Sequence, residues 1–347
     1  YIRQMVTTMY RGGYIAFYNG AKELIKAVSV FDRAQDGESF DFIVPVNAKY
    51  FRTTLSVWAA NNQNWVFGLT KTEEAIDTWG RSFVLAKDGS GDFTNIDVAI
   101  TAATQYENAT LYIEEGTYDV IADLIANRGQ TWFDNIGSSQ RGIYIWNNIH
   151  IICSPKAIIQ ANYTGSNDSV KEWLAIFNTG SKGFILENAT LVGKNIRYLV
   201  HDERDYFDNT LYVNKYINCK MYLDNSENDA WQNRHCIGGG MGLNGYVEVD
   251  SCFFESETIP GYVSDDHAIV SWHCSQDVKD RNAKCRIVVK DCYFEGDGTI
   301  RFIGMGVSDL ISEAWVSNSS LGNAPLKIVS GKDNVVLKTW CNEIRSN

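Results

Sequence analysis

The chain has 347 residues, of which 45% are apolar, and a formal net charge of −11 at pH 7. This size supports one large or two ordinary packed domains, and only four prolines argue against extended disorder. The negative charge would repel a polyphosphate, so we expect no nucleic-acid partner. No apolar run reaches the roughly 18 residues that a membrane helix needs, so we expect no membrane span.

The first part of the chain has the alternating apolar pattern and turn residues of short strands. Four strands are predicted in YIAFY (14–18), LIKAVSVF (24–31), SFDFIVP (39–45) and KYFRTTLSVW (49–58). They predict a small antiparallel β-sandwich over 1–60, loosely similar to jelly-roll modules of phage tail and cell-surface proteins. A linker over 61–82 follows, in which KTEEAIDTWG has the pattern of two helical turns.

From Phe83 onward the pattern changes. A strand at 83–86 leads through a Gly/Asp turn to a helix at 95–104, which carries apolar residues at Ile96, Ala99 and Ile100. We expect this helix to cover the open end of the structure that follows it.

A strand-like phrase recurs in the rest of the chain. Its copies are FILENATL (184–191), YVNKYINCKM (212–221), VEVDSCFF (247–254), IVVKDCYF (287–294), AWVSNSSL (314–321) and the weaker VVLKTWCNEI (335–344). Their alignment gives a turn-forming column of Asn188, Asn218, Ser251, Asp291 and Asn318, followed by a small-residue column of Ala189, Cys219, Cys252, Cys292 and Ser319. Irregular repeats of this kind indicate a solenoid, and a parallel β-helix fits better than a propeller.

The same alignment bears on the eight cysteines, among which no Cys-x-x-Cys pair occurs. Cys219, Cys252 and Cys292 are predicted to stack inside the coils as small, buried, reduced side chains. We favour this reduced stack over a disulfide framework, and we expect no metal site there because no second ligating column accompanies it.

VLAKDGSGDFTNIDVAITAA (84–103) followed by LYIEEGTYD (111–119) resembles the opening of pectin methylesterases, members of the pectate-lyase-like superfamily. The resemblance implies an all-β fold over 83–347, a right-handed single-stranded parallel β-helix with an N-terminal capping helix. It does not extend to the esterase chemistry. No QDT or DFIFG-like phrase occurs, and FDNTLYV (207–213) has Asn209 where an aspartate would be needed. An esterase of this descent is therefore the weakest functional alternative.

GYVEVDSCFFES (245–256), VSDDHAIVSWH (263–273) and VSNSSLGNAPLKI (316–328) resemble the β-helix proteins of phage tailspikes and tail fibres. This resemblance implies recognition of a bacterial surface polysaccharide by a homotrimer that assembles with other tail proteins. The implied location is the virion tail, outside the cell, and the alternative is a secreted or cell-surface protein.

A second alignment concerns polar residues. NIRYLVHDERD (195–205), NRHCIGGGMG (233–242), DDHAIVSWH (265–273) and TIRFIGMG (299–306) are predicted to form the same strand of successive coils. This alignment would place Arg197, His235, His267 and Arg301 in one column at the rise between paired strands, about 4.8 Å.

These residues leave enzymatic activity open. A hydrolase would need two carboxylates, and a lyase would need a base and a charge-stabilising cation. The predicted catalytic residues are His235, His267, Asp266, Arg301, Glu203 and Asp205. The predicted substrate-binding residues are Arg197, His201, Arg234, Asp265, Trp272 and His273. We expect no cofactor and no metal.

The alternative interpretation is structural. Histidine and arginine columns stabilise coils by hydrogen bonding, and the charged residues of HDERD are typical of a solvated loop. Gly238–Gly242 lacks the Lys-Ser/Thr of a phosphate loop and predicts close packing instead. The segments 123–145 and 162–173 are predicted to be long loops or excursions from the coils, and loops on one face of a β-helix shape its binding groove.

Overall fold

The computed structural model divides the chain into two compact units, Tyr1–Trp79 and Gly80–Asn347. The structure describes residues 4–8, 14–18, 24–29, 39–43, 50–54, 67–68, 81–137, 142–180, 183–203, 212–229, 234–241, 245–259, 268–274, 284–296, 298–304, 311–321, 326–330 and 335–340.

The first unit contains two three-stranded antiparallel sheets. Its strands are β1 (Gln4–Thr8), β2 (Tyr14–Tyr18), β3 (Leu24–Ser29), β4 (Ser39–Ile43), β5 (Tyr50–Thr54) and β6 (Phe67–Gly68). One sheet has the order β4-β1-β6 and the other β3-β2-β5. The four predicted strands correspond to β2–β5 and are confirmed. Strand β6 lies inside the range predicted as a linker, and residues 71–80 of the predicted helical turns lie outside the described residues.

Three parallel sheets form the second unit. Sheet 1 contains β7 (Ser82–Leu85), β8 (Ala109–Ile113), β11 (Ile149–Cys153), β14 (Phe184–Glu187), β17 (Tyr212–Ile217), β20 (Gly245–Asp250), β23 (Lys284–Lys290), β26 (Ile311–Ser317) and β28 (Val335–Trp340). Sheet 2 contains β9 (Gly116–Asp119), β12 (Ala157–Asn162), β15 (Thr190–Lys194), β18 (Lys220–Asn225), β21 (Phe253–Thr258) and β24 (Tyr293–Gly296). Sheet 3 contains β10 (Gly142–Ile145), β13 (Ala175–Thr179), β16 (Tyr198–Glu203), β19 (His235–Met241), β22 (Ala268–Cys274), β25 (Thr299–Gly304) and β27 (Leu326–Ser330).

The chain visits sheets 1, 2 and 3 in turn, and each strand pairs with the equivalent strands of the neighbouring coils. Apolar residues alternate toward a continuous interior that contains Leu111, Ile151 and Leu186 in one register. The predicted parallel β-helix is therefore confirmed.

The predicted capping helix is α1 (Ile96–Ala103), which begins after Asn95, whose side chain accepts a hydrogen bond from the Val98 amide at 3.0 Å. Its buried residues belong to the same core as the first strands of sheets 1 and 3. The carboxylate of Asp97 is fully buried, and it accepts a hydrogen bond from Arg128 Nε at 2.8 Å. The helix therefore closes the interior at the start of the solenoid, as predicted.

The two segments that were predicted to be long loops or excursions from the coils contain helices, so within the described residues they are helical excursions rather than loops. Helices α2 (Val120–Arg128), α3 (Gln130–Asp134) and α4 (Asp168–Trp173) lie in connections from sheet 2 to sheet 3. The side chains of Asp119 and Asn167 accept hydrogen bonds from helix amides and so begin α2 and α4. Within the described residues, no helix is both long enough and apolar enough to cross a bilayer.

The turn from sheet 1 to sheet 2 explains the repeated phrase. Each phrase is a strand, one residue at positive φ, one buried small residue and the next strand. The first column takes the left-handed conformation, with φ between 49° and 59° at Asn188, Asn218, Ser251, Asp291 and Asn318. Asn and Asp tolerate this conformation, and Asn218 Nδ2 also donates to Asn188 Oδ1 at 2.7 Å along the column. Both predicted columns are confirmed.

The cysteine column lies inside this turn. Cys219, Cys252 and Cys292 are free and at most 2% exposed, and the Cys219 amide donates to Cys252 Sγ at 3.4 Å. Burial raises the pKa of the Cys252 thiol well above its usual value, and its cysteine neighbours raise it further. These thiols pack as small apolar groups, in agreement with the prediction.

Candidate functional site

The outer face of sheet 3 carries the polar and aromatic groups that the sequence singled out. One row of this face contains Tyr144, Asn178, His201, Gly238 and Ser271, each in register with the next across neighbouring strands. The backbone of Arg301 and that of Lys327 continue the same register in β25 and β27. We call Tyr144 through Ser271 the sheet 3 row.

The predicted column of Arg197, His235, His267 and Arg301 is wrong in register. The four phrases do contribute successive strands of sheet 3, but His235 pairs with Tyr198, and Arg301 pairs with Ser271. Coil connections of unequal length leave the register unfixed by sequence. The register also shifts between Ala268 and Val270. His267 lies outside the described residues.

His201 is the centre of a polar chain on this face. Its Nδ1 lies 2.8 Å from Asn178 Oδ1, and its Nε2 lies 2.7 Å from Glu203 Oε2. The imidazole is almost fully buried, whereas the Glu203 side chain keeps 35% of its surface exposed. Because both ring nitrogens contact oxygen-bearing groups, His201 holds Glu203 in one orientation and leaves that carboxylate accessible.

Aromatic stacking fixes the position of the imidazole. The Tyr198 ring stacks on His201 at 5.0 Å and on His235 at 5.4 Å between ring centroids. His235 Nδ1 donates to the carbonyl oxygen of Ala268 at 2.7 Å, so this nitrogen carries a proton. A Cβ at Gly238 would lie 2.7 Å from the Tyr198 ring, so glycine makes the stack sterically feasible. Gly238 is thus a packing feature, as predicted for this glycine run.

An exposed aromatic pair begins the row. Trp146, immediately after β10, is 64% exposed, and its ring is parallel to that of Tyr144 at 4.8 Å and 6°. The sequence reasoning did not single out this pair. The signal was present in GIYIW, because Ile143 and Ile145 face the core and the alternating aromatics must face outward.

Asp202 lies on the opposite side of the same strand, inside the solenoid. Its carboxyl oxygens accept hydrogen bonds from Asn214 Nδ2 at 2.7 and 2.9 Å and from the Tyr216 hydroxyl at 2.9 Å. Asn214 Oδ1 in turn accepts a hydrogen bond from the Phe184 amide at 2.8 Å. This buried network anchors β16, which presents His201 and Glu203 on the outer face.

The remaining predicted site residues have different locations. Trp272 is 1% exposed and belongs to the core, so its predicted contact with a ligand is wrong. Arg234 is 3% exposed, and Arg197 places its guanidinium over Trp173 at 4.9 Å and over Tyr198 at 4.6 Å. His273 lies in β22 in register with Gly240. Asp205, Asp265 and Asp266, like His267, lie outside the described residues.

Among the residues that the structure describes, no group of three or more His, Cys, Asp or Glu side chains is arranged to hold a metal ion. The described site consists of an exposed aromatic platform, an amide, a buried histidine and a half-exposed carboxylate. This arrangement can stack on an apolar face and exchange hydrogen bonds with hydroxyl groups.

No protein-family model matches the chain, and no curated protein matches its sequence. Among solved structures, pectin methylesterase from Aspergillus niger is similar at 14% identity and a TM-score of 0.39, over 76% of this chain and 85% of that one. Pectin methylesterase from carrot is similar at 12% identity and a TM-score of 0.33, over 78% and 90%. ORF18 of Geobacillus virus E2 is similar at 11% identity and a TM-score of 0.23, over 82% and 67%. At these levels the likeness concerns the fold and carries no argument about activity.

Proposed function

We propose that the protein is a tailspike- or tail-fibre-like protein that recognises a bacterial surface glycan along the outer face of sheet 3. The observation that carries this proposal is the exposed Trp146–Tyr144 stack beside the Asn178–His201–Glu203 chain. Exposed aromatic surface that polar groups flank is a feature of ligand-binding grooves.

The chemistry of the row suits a sugar chain. The C–H face of a pyranose ring packs on an aromatic plane, and its hydroxyls need donors and acceptors at fixed positions. Trp146 offers the plane, and Glu203 offers a preoriented acceptor two coils further along, at about 10 Å for a 4.8 Å rise. The two groups therefore reach neighbouring parts of one extended chain.

Cleavage of that glycan is the second candidate, and the observation that favours it is Glu203. Its carboxylate is held by a buried histidine and still reaches solvent, which suits a general acid or base. A hydrolase requires a second carboxylate, for which Asp205, Asp265 and Asp266 remain predictions. A lyase requires an accessible base, for which His267 remains a prediction, since His235 is buried. Assembly as a homotrimer with other tail proteins, and a location in the virion tail outside the cell, belong to the same proposal.

The test is affinity electrophoresis through gels that contain purified capsular or lipopolysaccharide glycans, with parallel assays for reducing ends and for unsaturated sugars. We expect retardation by at least one glycan and weaker retardation of the Glu203→Gln variant. New product that disappears in Glu203→Gln would establish cleavage at this site. Retention that is unchanged in Glu203→Gln would contradict the assignment to sheet 3. A monomer in native mass spectrometry would count against the trimer.

A further inference from the structure

The outer face of sheet 2 carries a row of aromatic rings beside a group of carboxylates. Tyr222, Phe253 and Tyr293 lie on β18, β21 and β24, and all three rings are partly exposed. Their centroids are 5.5 Å apart for Tyr222 and Phe253 and 5.4 Å apart for Phe253 and Tyr293, the latter pair being parallel within 9°. We call these rings and the carboxylates of Glu255, Glu257 and Glu295 the sheet 2 face.

The carboxylates of this face repel one another. Glu255 and Glu295 are directly opposite on neighbouring strands, and Glu257 follows Glu255 on the same side of β21. Among the described residues none of the three makes an ion pair, and Glu295 only accepts a hydrogen bond from the Tyr293 hydroxyl at 2.7 Å. Burial raises the pKa of Glu255, and the charges of Glu295 and Glu257 raise it further.

The other charged groups on this sheet do not neutralise them. Lys194 is committed to Asp224 at 3.6 Å and to Glu227 at 3.2 Å. Lys220 is in register with Phe253 on the adjacent strand and makes no ion pair within the described part of the chain. Three carboxylates therefore face one unpaired lysine, and like charges directly opposite in a sheet are destabilising.

We propose that the sheet 2 face docks a cationic, arginine- or lysine-rich segment of another protein. This interaction is separate from glycan recognition on sheet 3. A guanidinium forms charge-assisted hydrogen bonds to carboxylates, and its planar group and aliphatic stem pack against aromatic rings.

The arrangement of the carboxylates favours a protein segment that carries several cations. Glu255, Glu257 and Glu295 lie on two neighbouring strands, so closely spaced arginine or lysine side chains of one segment can contact them together. Phe253 and Tyr293 stack on each other, which covers one face of each ring and leaves their edges for the aliphatic stems of such side chains. A flexible cationic side chain can use ring edges and carboxylates together.

The experiment measures the fluorescence anisotropy of a labelled (Arg-Ser)₅ peptide with the full chain at low salt. We expect saturable binding that the double variant Glu255→Gln/Glu295→Gln weakens by about tenfold, since both charge-assisted contacts are lost. The matched control is Glu107→Gln/Glu114→Gln, which removes the same charge from two exposed positions on the described coils that make no ion pair. This control should bind like the wild type.

The proposal is overturned if the peptide fails to bind, or if a glucosamine hexamer binds at this face and the peptide does not. It is also overturned if both double variants lose affinity equally, because net charge alone would then attract the peptide. Thermal melting of each variant shows that it is folded, and we expect Glu255→Gln/Glu295→Gln to melt no lower than the wild type because it removes a repulsion.

Discussion

The outer faces of sheets 1 and 2 belong to the same coils, but their glutamates differ in whether a lysine lies beside them. On sheet 1, Glu248 contacts Lys215 at 2.9 Å and Lys290 at 2.8 Å, and Lys290 also contacts Asp250 at 3.0 Å. On sheet 2, Glu255 and Glu295 are adjacent and lack a cation within the described residues. A ladder of alternating sign is therefore available to this fold, and within the described residues sheet 2 uses it between Lys194 and Asp224 but not at Glu255 and Glu295.

This difference separates what the β-helix requires from what it permits. Both faces share the turn column and the inner packing, which fix the coils whatever the outer residues are. This packing does not determine the outer residues, so the like charges of Glu255 and Glu295 are not required by the coils and agree with the docking role proposed for sheet 2. The outer face of sheet 3 differs again, because His201 and His235 are buried, whereas Trp146 is exposed and Glu203 is partly exposed.

The largest expected effect is in the interior that both faces share. Asp202→Ala removes the carboxylate that accepts hydrogen bonds from the Asn214 amide and the Tyr216 hydroxyl inside the core. We expect the free energy of unfolding to fall by about 3 kcal/mol, measured from the urea midpoint. Tyr216→Phe removes one hydrogen bond and should cost about 1 kcal/mol. A loss below 1 kcal/mol in Asp202→Ala would show that the interior does not dominate stability.

The next largest effect on stability is expected at the turn between sheets 1 and 2. Asn218 has φ of 51°, a conformation that costs an ordinary L-residue about 1 kcal/mol. Asn218→Ala should therefore lower the free energy of unfolding by about that amount. Asn218→Gly, the matched variant, should stay within about 0.5 kcal/mol of the wild type, since glycine adopts this φ without a steric penalty. Equal melting temperatures of the two variants would contradict this reason for the column.

A smaller effect distinguishes the faces directly. Glu248→Gln on sheet 1 leaves Lys215 and Lys290 without their shared carboxylate, so we expect a loss of about 1 kcal/mol or less. Glu255→Gln on sheet 2 should leave stability unchanged or raise it, because it removes repulsion from Glu295 and Glu257. The comparison fails if the two variants change the melting temperature in the same direction by the same amount.

The smallest effect is a pH dependence. Because burial and the neighbouring carboxylates raise the pKa of Glu255, the folded protein binds this proton more tightly than the unfolded chain does. The resulting stabilisation is present below the ordinary Glu value of 4.5 and is lost as the pH rises through the higher folded-state pKa. Relative to the wild type, Glu255→Gln should thus gain the most thermal stability at pH 7, and the melting temperatures of the two proteins should converge as the pH falls toward 4.5. A difference in melting temperature that widens at low pH would contradict this interpretation.

The sequence predicted the parts of the fold that depend on single-residue chemistry. The positive-φ position accepts few residue types, so Asn, Asp and Ser repeat there, and the adjacent buried position accepts only small ones. The capping helix was visible from the spacing of Ile96, Ala99 and Ile100. These features depend on one position each, so they survive variation in the connections between coils.

The site was less predictable because it depends on register and exposure. Connections of different length separate the strands of sheet 3, so His235 could not be aligned with Tyr198 rather than Arg197 from the sequence. The sequence does not distinguish Trp272 from Trp146, but Trp272 is in the core and Trp146 is exposed. The helices α2 and α4 were missed because their caps, Asp119 and Asn167, resemble loop residues until the helix is seen.

The central claim, that sheet 3 recognises a glycan, is tested most directly by isothermal titration with a polysaccharide that retards the wild-type protein. Trp146→Ala is compared with Tyr112→Ala, which removes another exposed aromatic side chain, 41% exposed, from sheet 1. We expect Trp146→Ala to weaken binding by about tenfold or more, corresponding to about 1.4 kcal/mol, and Tyr112→Ala to bind like the wild type. Wild-type affinity in Trp146→Ala, or an equal loss in both variants, would contradict the claim.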